Sequence, residues 1–192
     1  MSMKRARIGV LASGGGTNLQ CIIDACERGE IDADVAVVIS NVPEAFALER
    51  AKKHRIDAYA FPHKGVTREQ HEADIIECLD QHGVDLVVLA GYLRILTPVF
   101  INKYAGRLMN THPALLPAFP GLDAQRQAWE HGAKVSGATV HLVDEGLDTG
   151  PVIARCPVDL RGAALFVQRP DARPGAQAAH KTVFFRHGIN NP

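Results

Sequence analysis

The chain has no surplus of charge: 21 Lys and Arg stand against 21 Asp and Glu in 192 residues. Nucleic acid demands a basic footprint, which such a balance does not favour. A phosphorylated small molecule stays open, since one local cluster can bind it. Cysteine is scarce. Cys21, Cys26, Cys78 and Cys156 form no C-x-x-C pair and lie in no close Cys/His cluster, so no zinc site is expected. They read as buried or incidental thiols in a reducing cytoplasm. No apolar run is long enough for a membrane helix. The basic stretch Met1–Arg7 precedes an apolar run too short for a secretory signal. What is present is 46% hydrophobic content, enough for one domain with a sizeable core.

Short apolar runs alternate with helical patterns. Ile8 to Ala12 reads as a strand ending at the loop Ser13-Gly14-Gly15-Gly16-Thr17-Asn18, and Leu19, Ile22, Ile23 and Cys26 then share one helix face. Further strands are expected over 34–40, 58–61, 84–90, 108–111, 138–143 and 151–158. Helices are expected over 45–54, 67–82, 96–103 and 124–131. Thr67 and Gln70 have capping-box spacing, and His71, Asp74 and Glu77 read as the solvated face of that helix. Segment 84–90 is apolar enough for a parallel strand buried on both faces. The order predicts an α/β fold: an open, mostly parallel, Rossmann-like sheet with helices on both faces. Ligands of such sheets sit beyond the carboxyl ends of the strands. The glycine loop, Gly91-Tyr92-Leu93-Arg94 and Asn110-Thr111-His112 all fall there.

The glycine loop has the context of an anion site, because backbone N–H groups can approach a phosphate at a helix N-terminus. Thr17 and Asn18 add side-chain donors. It is neither a Walker A loop nor a dinucleotide fingerprint. Asn110 and His112 lie two apart on extended backbone and share a face, and Pro113 biases His112 to that geometry. Asp148 alone would be a turn-forming aspartate. With the amide and the imidazole it completes a set able to stabilise an oxyanion and move a proton. Tyr92 to Leu96 reads either as an apolar slot with one cation or as core. Lys64 and Arg68 read singly as solvated charges. His54, His63, His71, His82, His131 and His187 carry no assignment.

From about Ile8 to Val158 the chain resembles the phosphoribosylglycinamide formyltransferases, folate-dependent enzymes of purine synthesis. The carrying segments are Ser13–Leu19, Ser40-Asn41, Leu89–Leu96, Asn110–Pro117, Gly137–His141 and Asp148–Pro151. The resemblance implies that 10-formyltetrahydrofolate, as co-substrate, donates a formyl group to the amine of phosphoribosylglycinamide without a metal. It implies Asn110, His112 and Asp148 as catalytic residues. Gly15, Gly16, Thr17 and Asn18 match the substrate phosphate loop. Leu93, Arg94, Ile95 and Leu96, with Asn110 and with Asp144, Glu145, Gly146, Leu147 and Asp148, match the folate-binding segments. Arg68 falls at a basic position near the folate. A monomer or homodimer without nucleic-acid or membrane partners is expected. A formyltetrahydrofolate hydrolase, with water as acceptor, and a non-catalytic folate- or nucleotide-binding module are the alternatives.

Two departures stand out. Asp123-Ala124-Gln125 replaces a histidine-bearing stretch, and the added carboxylate is expected to weaken binding of an anionic substrate. After Val158 the family pattern stops. Residues 1–158 read as the formyltransferase domain, and 159–192 as an atypical tail, frame-shifted or only partly ordered. In the family a Glu-His pair follows, whose glutamate faces the substrate. Ala179-His180-Lys181 is its only echo. The coding DNA tests the frame-shift reading.

Overall fold

The computed structural model describes residues 4–161. Its elements run β1 (Ala6–Leu11), α1 (Thr17–Glu27), β2 (Ala33–Ser40), α2 (Phe46–Lys53), β3 (Asp57–Ala60), α3 (Arg68–Gln81), β4 (Leu86–Leu89), α4 (Pro98–Lys103), β5 (Leu108–His112), α5 (Ala124–Glu130), β6 (Val135–Leu142) and β7 (Val152–Asp159). They form one seven-stranded sheet in the order β3-β2-β1-β4-β5-β6-β7. The first five strands are parallel, β6 pairs antiparallel with β5, and β7 antiparallel with β6. The expected α/β architecture is the one found.

The period of two along each central strand explains the layers. Leu11, Val37, Ile39, Val87 and Leu89 pack on one side with Ile75 and Leu79 of α3 and with Phe100 and Tyr104. Ile8, Val10 and Val38 pack on the other with Leu19 and Ile23 of α1 and Ala47, Leu48 and Ala51 of α2. Strands buried on both faces must read as apolar runs, and these do. Burial raises the pKa of the Cys26 and Cys78 thiols, so neither is a ready thiolate. Cys21 and Cys156 are exposed.

Strand order reverses between β1 and β4, and the crevice at their carboxyl ends is where such sheets take ligands. The Ser13–Gly16 loop leaves β1 and the 90–97 segment leaves β4 at this point. Both therefore flank one opening.

The capping box of Thr67 and Gln70 is present, and Thr97 caps α4 through its side chain. One reading of α3 is overturned. His71 is buried, not solvated, while Asp74 and Glu77 are exposed as expected. Residues 71, 75, 78 and 79 form the inner stripe of α3, so His71 faces the sheet. Its Nε2 lies 2.8 Å from the Phe61 carbonyl. The neighbouring Glu72 is also buried, against Thr97. The tail reading falls, from residue 162 onward, outside the described residues.

Burial lowers the pKa of His71, against a smaller opposing effect of the Phe61 carbonyl. The fold thus holds it neutral, while the unfolded chain's histidines protonate near pH ~6.5. Its contribution is fully present above that unfolded value and is lost as pH falls through the lower folded one. We therefore expect His71→Gln, which keeps a donor for Phe61, to flatten the fall of the urea midpoint between about pH 7 and 5. An unchanged slope would refute this role.

Candidate active site

The glycine loop is shaped from outside by α2. Ala47 N–H donates to the Gly14 carbonyl at 3.0 Å, and Arg50 Nε donates to the Gly15 carbonyl at 2.8 Å. With both carbonyls turned toward α2, no partner for the N–H groups of Gly15, Gly16, Thr17 or Asn18 is found among the described residues. Four donors at the start of an 11-residue helix form an anion cradle. Gly16 is required there. Its φ is 66°, and a Cβ would lie 2.7 Å from Ala47 Cα. Arg50 was not read from the sequence as part of this loop. Its Nη1 also donates to Gln20 Oε1 at 3.1 Å, and its guanidinium lies 4.9 Å from the Phe46 ring centroid.

Asn110 and His112 sit on β5, and β6 and the 143–151 loop carry the rest across to them. Asp148 is the meeting point. Its Oδ1 accepts from Asn110 Nδ2 at 3.3 Å, and its Oδ2 lies 3.2 Å from His112 Nδ1. Gly121 N–H donates to Oδ2 at 2.8 Å. The side chains of His112 and Asp148 are 4% and 9% exposed. The structure therefore brings together the three residues expected from the sequence. It also adds a constraint. His112 Nε2 is 2.7 Å from the Phe119 carbonyl, so both ring nitrogens face acceptors, a pattern an imidazolium satisfies with two donated protons.

His141 completes the cluster and was missed as a site residue. It pairs with Asn110 across the β5–β6 ladder. Its Nε2 lies 3.2 Å from Asn110 Nδ2 and 3.6 Å from Asp148 Oδ1, and Nδ1 is 2.8 Å from the Leu142 carbonyl. Donation from Nδ1–H to Leu142 leaves Nε2 to accept from Asn110. Alternation in β6 was the available signal: Thr139 and His141, two apart, are both buried polar residues.

The segments expected on the folate side border this cluster unequally. Asp144 Oδ1 accepts from Gly146 N–H at 3.1 Å and from the Thr149 hydroxyl at 2.7 Å, closing the loop that presents Asp148. Gly150 lets this loop turn, since a Cβ there would meet the Leu142 carbonyl oxygen at 1.9 Å. Leu93, Ile95 and Leu147 expose apolar side chains, Glu145 is exposed, Arg94 is half-buried and Leu96 is core. Arg68 is exposed at the first position of α3, with no contact to the cluster among the described residues. Asp123 is not a lone added charge. Arg126 Nη2 donates to its Oδ2 at 2.9 Å, which offsets the repulsion expected toward an anion. Gln125 is exposed.

Comparison with known proteins gives a consistent result. A family model described as formyl transferase matches residues 6–162. The chain is 47% identical over 154 residues to the phosphoribosylglycinamide formyltransferase of Escherichia coli (strain K12), covering 78% of this chain and 71% of that protein. It is 45% identical over 163 residues to the trifunctional purine biosynthetic protein adenosine-3 of Drosophila melanogaster, covering 83% of this chain but only 12% of that protein. The crystal structure of glycinamide ribonucleotide transformylase 1 from Symbiobacterium toebii superposes with a TM-score of 0.80 at 48% identity, covering 83% of this chain and 76% of that one.

The Arg50 contact generates a prediction. Arg50→Gln frees the Gly15 carbonyl to turn inward, where it would repel an anion. Binding of inorganic phosphate, read as a phosphate-dependent rise in melting temperature, is expected to weaken by about tenfold, or ~1.4 kcal/mol. Wild-type phosphate dependence in the variant would show that α2 does not shape the loop.

Proposed function

The chain belongs to the formyl transferase family, among its phosphoribosylglycinamide formyltransferases, and from that premise we propose that it transfers a formyl group from 10-formyltetrahydrofolate to the amine of 5-phosphoribosylglycinamide. The observation that carries this reading is the Asp148 carboxylate, only 9% exposed. It gathers Asn110, His112 and His141 at the carboxyl end of β5, in the same sheet that presents the unpaired N–H groups of the glycine loop. In this reading residues 1–158 form the formyltransferase domain.

The glycine loop holds the acceptor's phosphate through the N–H groups of Gly15, Gly16, Thr17 and Asn18. The donor folate supplies an activated formyl group. The apolar side chains of Leu93, Ile95 and Leu147, exposed along two loops, suit a flat ring system, and the backbone of Leu93–Leu96 and Asp144–Asp148 offers polar contacts at its edges. Arg68 lies at the periphery for the folate's carboxylates.

The amine nitrogen attacks the formyl carbon and the carbonyl oxygen takes up negative charge. Asn110 Nδ2 and the His112 ring donate to that oxygen. Their present bonds, 3.2–3.3 Å around Asn110, are long, as catalytic hydrogen bonds often are before substrate binds. His112 exchanges its Phe119 carbonyl for the oxyanion, so the Phe119 segment must yield. Asp148 Oδ2, 3.2 Å from His112 Nδ1, holds the ring aligned. The proton leaving the attacking nitrogen then passes, through His112 or a water molecule, to the folate nitrogen whose bond to the formyl carbon breaks. The products are a formamide and tetrahydrofolate.

Removal of one oxyanion donor typically costs ~2.7–4 kcal/mol of transition-state stabilisation. Asp148→Asn keeps the size of the side chain and an acceptor for Gly121 but removes the charge. We expect turnover to fall by about a hundredfold or more, with folate-analogue binding largely intact because the loop contacts are backbone. The assay is formyl transfer to phosphoribosylglycinamide followed by absorbance. Near-normal turnover in the variant would take Asp148 out of the mechanism, and release of formate by the wild type in place of formylated amine would mean a hydrolase.

A further inference from the structure

The donor-side loop 91–97 is packed into the core through Tyr92 and Leu96, and the backbone between them is bonded to two residues outside the loop. Leu93 and Ile95 are 68% and 67% exposed, so these side chains fix little. At the far end, buried Glu72 accepts from Thr97 N–H at 2.9 and 3.2 Å and from the Thr97 hydroxyl. At the near end the anchor is Ser13. Its N–H donates to the Gly91 carbonyl at 3.0 Å, and its Oγ accepts from Leu93 N–H at 2.8 Å.

Ser13 is also the first residue of the glycine loop, two positions before Gly15. Its single hydroxyl proton is committed elsewhere. Ser13 Oγ donates to Asn41 Oδ1 at 2.6 Å, and Asn41, 5% exposed at the end of β2, is steadied by His63 Nδ1, 3.2 Å from Asn41 Nδ2. The direction of the chain of bonds is thereby fixed: Leu93 gives, Ser13 receives and passes on, Asn41 receives. With its side chain engaged this way, Ser13 is not left to bind an anion itself.

We propose that Ser13 is a positioning residue that joins the two substrate sites, so that an anion seated on the glycine loop is felt at the backbone of Leu93. An anion that draws on the N–H groups of Gly15 and Gly16 pulls on a short loop whose first residue is bonded at two points to the donor segment. Neither bond can lengthen without moving Gly91 or Leu93. The inference deepens the function proposed above by making the phosphate of the acceptor a determinant of donor binding.

The test uses the full ¹⁵N-labelled chain titrated with inorganic phosphate, with amide resonances as readout. Wild type should shift at Gly15 and Gly16 and, with the same midpoint, at Leu93. Ser13→Ala should keep the glycine shifts and lose the Leu93 response, and Ser13→Thr, which retains the hydroxyl, should restore it. A Leu93 response that persists in Ser13→Ala, or that is absent from wild type whether or not the glycines shift, overturns the link. In turnover, Ser13→Ala should raise the KM for the formyl donor about fivefold to tenfold, the loss expected for one hydrogen bond, while binding of inorganic phosphate in the absence of donor, where no coupling acts, moves less than about twofold. A general loss of structure would move both and would lower the melting temperature, and would refute the proposal. Because the resonance experiment needs no turnover, a chain that transmits the phosphate signal but transfers no formyl group refutes the function alone.

Discussion

A carboxylate that is 9% exposed is costly to keep charged unless its surroundings answer it. Around Asp148 they do, from three directions: the Gly121 backbone, the imidazole of His112, and the Asn110 amide that His141 holds in place. Much of the local architecture follows from that requirement. The loop reaches inward by giving Asp148 a φ of 56°, a conformation that aspartate tolerates better than most residues. The antiparallel turn of β6 against β5 is what sets His141 beside Asn110. A parallel strand at that edge would need a crossover connection and could not return the chain so directly.

The sheet order does a different job. Reversal between β1 and β4 opens the crevice, and the loops leaving those two strands are bonded to one another through Ser13. The glycine loop is stiffened from α2, and the 91–97 loop from Glu72 on α3. Helices on opposite faces of the sheet thus meet at one site through the loops they brace.

The fold was legible because the central strands announce their burial. Two-sided apolar runs, a glycine turn and a capping box are local signals, and the helix and strand positions they give agree with the structure. Asn110 and His112 were legible as a pair because β periodicity puts them on one face. Asp148 was weaker, since the loop that delivers it is closed by contacts between residues 144, 146 and 149 that spacing alone does not rank. His71 was misread for a general reason: at one end of α3 the inner stripe is made of polar residues, and a histidine and a glutamate mimic a solvated face until the Phe61 carbonyl is seen against the one and Thr97 donating to the other. Arg50 depends on a partner 35 residues away, a range that no local pattern reaches, and alternation in β6 hints that His141 points inward without revealing Asn110, 31 residues away.

The Phe119 carbonyl resting on His112 has a bearing on economy of reaction. A ring only 4% exposed, with an acceptor at each nitrogen, is in no position to activate a passing water molecule. The imidazole is released for chemistry only when the 117–123 segment gives way. Bulk solvent meets a shielded group, and under the reaction proposed above a formyl donor would be sheltered from wasteful loss to water until the segment moves.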